Sequence, residues 1–141
     1  MCIRDRNELN RPFSILSVDA KGDFSTFDPE LLSDASNRFG TFNIGNLKTH
    51  SLEDSTRTEG FERLLQDMAL GVETCHESCE HFGLCGGENR SNKFLGHDTL
   101  ASSETNACRF GTKIPTEVLL ERFEAGPPLE AIGATHASQN L

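Results

Sequence analysis

The chain of 141 residues has no tryptophan and no tyrosine, and its 13 Lys and Arg are outnumbered by 22 Asp and Glu. The formal charge of −9 disfavours nucleic acid, whose binding depends on Lys and Arg neutralising phosphates. It disfavours an anionic membrane surface on the same ground. No apolar run of about 18 residues occurs, so the sequence predicts no helix that crosses a bilayer. The first residues have no apolar h-region, so no secretory signal is read there. The core is modest: 35% of residues are hydrophobic and the aromatics are ten Phe alone. A chain of this size gains from a metal staple. Cysteine is missing between Cys2 and Cys75. In a chain expected to be cytoplasmic, cysteines read as metal ligands before disulfides.

Met1-Cys2-Ile3-Arg4-Asp5-Arg6 resembles a translated transposon end used in sequencing-library preparation. On that reading Cys2 is an artefact, the natural protein extends further upstream, and residues 1–6 are left out of fold reasoning. Beyond them, Phe13 to Asp19 and Asp23 to Phe27 are β-prone runs around Ala20-Lys21-Gly22, the pattern of a hairpin. Asp28 to Leu47 reads as an irregular loop, and Ser51 as the N-cap of a short turn. A helix is expected from Thr58 to Leu70, with Phe61, Leu64, Leu65, Met68 and Ala69 on one face and Gly71 as its C-cap. A last helix is expected from Pro115 to Phe123, and a disordered tail after Gly126-Pro127-Pro128.

Four of the five cysteines fall in one third of the chain, as Cys75-x3-Cys79-x5-Cys85 and, after a gap of 22 residues, Cys108. The stretch between Cys75 and Cys108 has too few apolar groups to order itself against its conformational entropy, and a bound metal would supply the missing organisation. Four thiolates select zinc or an iron–sulfur cluster. Structural zinc sites usually carry C-x2-C pairs, whereas these wider spacings suit a loop around something larger than one ion. Gly86-Gly87 after the third cysteine fits close backbone approach to such a group. From spacing, a [4Fe–4S] cluster, zinc, and free or disulfide-bonded thiols all stay open.

The stretch Cys75-His-Glu-Ser-Cys79-Glu-His-Phe-Gly-Leu-Cys85-Gly-Gly, then Asn92-Lys93, then Ser103-Glu104-Thr105-Asn106-Ala107-Cys108-Arg109 resembles the C-terminal SPASM region of radical SAM peptide maturases. It is most similar to the cyclophane-forming and glycine-rich-peptide maturases. Phe27-Asp28-Pro29-Glu30-Leu31-Leu32 and Phe39-Gly40-x-Phe42-x2-Gly45-Asn46-Leu47 look like the same family. The resemblance covers about Leu16 to Phe123. It implies a small irregular SPASM-like α+β domain with an N-terminal β-hairpin, two or three helices and a Cys-rich metal-binding loop region. Its parts would be residues 7–50 (hairpin and loop), 51–112 (helix and cysteine segment), 113–125 (last helix) and 126–141 (tail).

Two departures sharpen what the resemblance implies. The general SPASM pattern has seven cysteines and two auxiliary clusters. This chain lacks the pair after the hairpin, and Asn89 stands where that pattern has a cysteine. Cys75, Cys79, Cys85 and Cys108 match the second cluster, which implies one closed auxiliary [4Fe–4S] site. Glu88 replaces the family's usual third Gly. The SAM-binding C-x3-C-x2-C loop is also missing, since Phe82 follows Cys79 where the third cysteine would stand. The chain therefore reads as a fragment that is inactive alone. SAM, its cluster and the ribosomally made precursor peptide would belong to the parent enzyme. The alternative from another class is a small zinc-stapled interaction domain without a redox role.

Other residues read more simply. His76 and His81 lie among the cysteines, but four thiols complete a site, so both are expected to be solvated or to support the ligands. His97 reads as a turn residue, and Asp19 and Asp23 as hairpin chemistry. Glu104 and Thr105 are placed to cap or orient Cys108. Lys93 either offsets a cluster's negative charge or lies exposed.

Overall fold

In the computed structural model, which describes residues 7–32 and 34–126, Ser17–Val18 (β1) and Asp23–Ser25 (β2) form the expected hairpin in a shorter form. Asp19 makes its turn: Oδ1 accepts the N–H groups of Lys21 and Asp23. The expected loop contains two more antiparallel pairings. Ala35–Ser36 (β3) pairs with Gly40–Thr41 (β4), and Gly45–Asn46 (β5) returns to the free edge of β2. The fold class is a small irregular α+β domain, as expected.

Ser51 caps Leu52–Ser55 (α1), its side chain accepting the N–H of Asp54. Thr58 does the same for Phe61 at the head of Glu59–Ser78 (α2). Four short helical pieces follow: Phe82–Cys85 (α3), Arg90–His97 (α4), Asn106–Cys108 (α5) and Ile114–Ala125 (α6), with a π-helical turn at Arg109–Lys113 joining α5 to α6. Pro115 cannot donate a backbone hydrogen bond and its ring crowds the carbonyl four residues back, which the wider π turn just before it accommodates. No helix of the described residues is long and apolar enough to cross a membrane. Residues 1–6 and the expected tail at 127–141 lie outside the described residues.

Two apolar clusters meet on α2. Phe27, Leu31, Phe42, Leu64, Met68, Phe94 and Leu100 form the larger, with Phe42 edge-on to Phe27 and Phe94. Phe24, Ile44 and Phe61 form the smaller. Leu65 on α2 touches both. The α6 helix takes no part: Ile114, Val118, Leu119, Leu120 and Phe123 are all exposed, so the face expected from its spacing covers nothing among the described residues.

The expected end of α2 at Leu70 is corrected. The helix continues through Gly71 to Ser78, and Cys79 is its C-cap. Gly71 is there for close approach. A Cβ at this position would stand 2.1 Å from the backbone oxygen of Leu100, which crosses the helix at that point. The buried Asp67 one turn earlier holds the same crossing segment, with Oδ2 accepting the Leu100 N–H at 2.8 Å.

Gly71→Ala therefore gains about 1 kcal/mol of helix propensity against an overpacking cost at the upper end of about 1–3 kcal/mol. The expected outcome is a net loss of about 1–2 kcal/mol in urea unfolding. Equal or greater stability would show that the two segments do not touch.

Candidate metal centre

The four cysteines come from three separate elements. Cys75 lies in the last turn of α2, and Cys79 caps that helix, donating its N–H to the Cys75 carbonyl at 3.0 Å. Cys85 ends α3 and Cys108 ends α5. All four are free thiols, with Cys75 and Cys108 buried and Cys79 and Cys85 partly exposed. Charge on Cys79 or Cys85 is felt at both Cys75 and Cys108, so the sulfurs share one neighbourhood. Among the described residues the group of three side chains whose metal-ligating atoms lie within 4.8 Å of one another is Glu80, His81 and Glu117, which contains no cysteine.

The segment between the ligands is more regular than expected, with α3, α4 and α5 in place of a loop. Its order comes from polar groups. Asn89 caps α4 by accepting the Ser91 N–H at 2.8 Å. Arg90 is 1% exposed; Nη2 donates to the Thr26 carbonyl at 2.6 Å, the guanidinium lies over the Phe27 ring, and Nε faces Asp28 Oδ2 at 3.8 Å. The start of the chain binds the loop after the third cysteine. Asn7 N–H donates to Gly86 O, Asn7 Nδ2 to Cys85 O and Asn10 Nδ2 to Glu88 O. Gly86 and Gly87 take left-handed backbone angles (φ 62° and 96°). A Cβ on Gly87 would press on Val72 of α2 at 3.3 Å.

Two buried charges flank the thiols. Lys93 is 2% exposed, and Nζ donates to the Gly71 carbonyl at 2.8 Å and to Cys75 Sγ at 3.3 Å. Among the described residues no carboxylate lies within ion-pair distance of it. The reading of Lys93 as exposed is thereby removed: the side chain is buried against Cys75. Glu88 is also buried, and it is one of three non-glycine residues at positive φ (63°). Its carboxylate accepts from Asn92 Nδ2 at 3.2 Å and from Thr105 Oγ1 at 2.8 Å. Thr105 Oγ1 in turn accepts the N–H of Cys108 at 3.0 Å, so the side chain that the sequence placed near the fourth ligand does cap it.

Burial pushes the pKa of the Cys75 thiol up, and Lys93 partly offsets this. Burial, with the Glu88 carboxylate second, pushes Cys108 up to about 11. Both are therefore neutral thiols at neutral pH. Glu104 is held low by a hydrogen bond from Lys113, 2.6 Å away.

The histidines divide. His76 is exposed and stands edge-on to Phe82. His81 is buried, which removes the solvated arm of the expectation. Its Nδ1 has no hydrogen-bond partner and lies 4.0 Å from Glu80 Oε1, and Nε2 lies 3.8 Å from Glu117 Oε1 on α6. His97 Nε2 meets the Glu104 carbonyl at 2.7 Å, fixing the turn between α4 and α5. Asp23 Oδ1 accepts from Asn46 Nδ2 at 2.7 Å and belongs to the hairpin. Sequence reasoning missed Arg90 and the N-terminal Asn7 and Asn10, for which only the burial of charged and amide side chains in the fold provides a signal.

The chain is 46% identical over 120 residues to the uncharacterized protein sll1766 of Synechocystis sp.. The match takes in 85% of this chain and 30% of that protein. The chain thus spans about a third of the length of the curated relative it matches. No family model matches the chain, and no solved structure matches it.

Thr105→Val removes the cap on Cys108 and strands the Glu88 carboxylate. The expected cost is about 1–2 kcal/mol, with faster labelling of Cys108 by a thiol reagent. Unchanged stability and labelling would show that the cap does not hold the fourth cysteine.

Proposed function

We propose that the chain is an iron–sulfur module in which Cys75, Cys79, Cys85 and Cys108 hold one auxiliary [4Fe–4S] cluster. The observation that carries this reading is the buried Lys93 ammonium, whose acceptors are a backbone carbonyl and the sulfur of Cys75. A buried cation of this kind wants an anion beside it, and a cysteinate bound to iron supplies one. The spacing of the cysteines along the chain, wider than the C-x2-C pairs usual in structural zinc sites, supports the cluster over zinc. A cluster bound there supplies one-electron transfer or structural support. The chain's own residues hold the thiolates, keep water from Cys75 and Cys108, and place charge at known atoms.

In the same reading the module belongs to a longer radical SAM peptide maturase of the SPASM type, which acts on a ribosomally made precursor peptide in the cytoplasm. The share of its relative that the chain spans supports a longer parent. The chain has no C-x3-C-x2-C loop, so SAM chemistry is assigned to the parent and not to this segment.

Anaerobic reconstitution with iron and sulfide tests the proposal. The expected product is brown, with broad absorption near about 400 nm and about four irons per chain. Colourless protein with one tightly held zinc would remove it in favour of the zinc-stapled domain. Cys79→Ser and Cys108→Ser should each lose the iron and make Cys75 to Arg109 easier for protease to cut than in the wild-type holoprotein, because the bound metal would tie that segment together beyond its polar contacts. Iron and protease resistance retained in both would show that the ligands are wrongly assigned.

The raised thiol pKa values set a pH dependence. Each ligand gives up its proton on binding, so apparent metal affinity rises with pH, by up to about tenfold per unit for each proton released. Chelator competition at about pH 6.5 and about pH 8 should show weaker retention at the lower value. Equal retention would indicate thiolates already formed in the free protein.

A further inference from the structure

We propose that Lys93 and Glu88 are positioning charges that set the reduction potential of the group held by the four cysteines, and that they act in opposite directions. The inference rests on the iron–sulfur reading above. Lys93 stands at one buried ligand and Glu88 at the other. Nζ of Lys93 donates to Cys75 Sγ at 3.3 Å. Glu88 acts on Cys108 through its charge and through Thr105, which links its carboxylate to the Cys108 N–H.

Burial makes these two charges matter. Solvent and salt screen exposed charges, and they screen buried ones far less. Lys93 is 2% exposed and Glu88 8%. Lys113, which also acts on Cys108, is matched by Glu104 at 2.6 Å and lies nearer the surface, so its field is largely cancelled. An iron–sulfur group becomes more negative when it takes up one electron. A cation beside it, and an N–H hydrogen bond to its sulfur, stabilise the reduced form and raise the potential; a carboxylate lowers it. No bond is made or broken in that step, and the electron comes from an added reductant.

Glu88 is costly where it stands, which argues that its side chain is used. It takes a left-handed backbone angle that favours glycine, beside two glycines that adopt it freely. Its carboxylate is nonetheless drawn inward and held by two donors, Asn92 and Thr105. A residue kept only for the turn would be glycine.

The test is a redox titration of the reconstituted full chain with dithionite, followed by absorbance and by electron paramagnetic resonance. Lys93→Met should lower the midpoint and Glu88→Gln should raise it. Each should shift the ratio of oxidised to reduced protein at a fixed poise by about tenfold, or about 59 mV for a one-electron couple. Lys93→Arg keeps the charge and should restore the wild-type midpoint. Iron bound with unchanged midpoints in both variants would overturn the inference alone. Loss of iron from both would overturn it too, since the residues would then be scaffolding for assembly. If one variant assembles, the sign of its shift decides. A wild-type chain that binds no iron removes the iron–sulfur reading, and this inference with it.

Discussion

The ammonium group of Lys93 is the point on which the site and the fold both depend. It bridges the Gly71 carbonyl, in the middle of the core helix α2, and the sulfur of Cys75 one turn later. The lysine comes from α4, so the bond ties the helix between the third and fourth cysteines to the helix that carries the first. Gly71 serves the arrangement twice. Its carbonyl accepts the lysine, and the absence of a Cβ admits the Leu100 backbone. The electrostatic and steric demands of the site therefore fall on one residue of the central helix.

Around that bond the cysteine segment is ordered by buried polar groups where most small domains use apolar ones. Arg90 passes through the interior to the Thr26 carbonyl, stacked on Phe27 and facing Asp28. Ser91 reaches Glu30, and Glu88 reaches Thr105. Such networks are specific because a half-satisfied one is worse than none. Arg90 Nε and Asp28 Oδ2 face each other at 3.8 Å without a hydrogen bond, and each lacks another partner. That pair is the weakest joint of the network.

Much of this was legible in advance where a rule with a short range applied. The hairpin announced itself through Asp19 and Gly22, α1 through Ser51, and α2 through the spacing of Phe61, Leu64 and Met68. Gly71 misled because a glycine at the end of an apolar pattern reads equally as a cap or as a close approach, and only the path of Leu100 distinguishes them. The helices α3 to α5 were hidden because their stabilising residues are Arg, Lys, Asn and Glu, which ordinarily face water. The grouping of the four cysteines was visible from their spacing. Which charges would stand beside them was not, since Lys93 and Glu88 are brought inward by contacts with residues distant in the chain. The position of Asn89 was noted as a missing cysteine, and its role as a helix cap follows from the same side-chain chemistry read in a different setting.

The strap formed by Asn7 and Asn10 has a consequence for the order of folding. These residues reach carbonyls of Cys85 and Glu88 that lie 78 positions further along the chain, whereas Cys75, Cys79 and Cys85 follow one another at the end of α2 and in the next helix, α3. Local contacts form early and distant ones late, because a long loop must close first. The first three thiols are thus presented together while the loop that carries the third is still untied. Closure by the N-terminal strap is then the late step, and it locks the glycine turn beside the third cysteine.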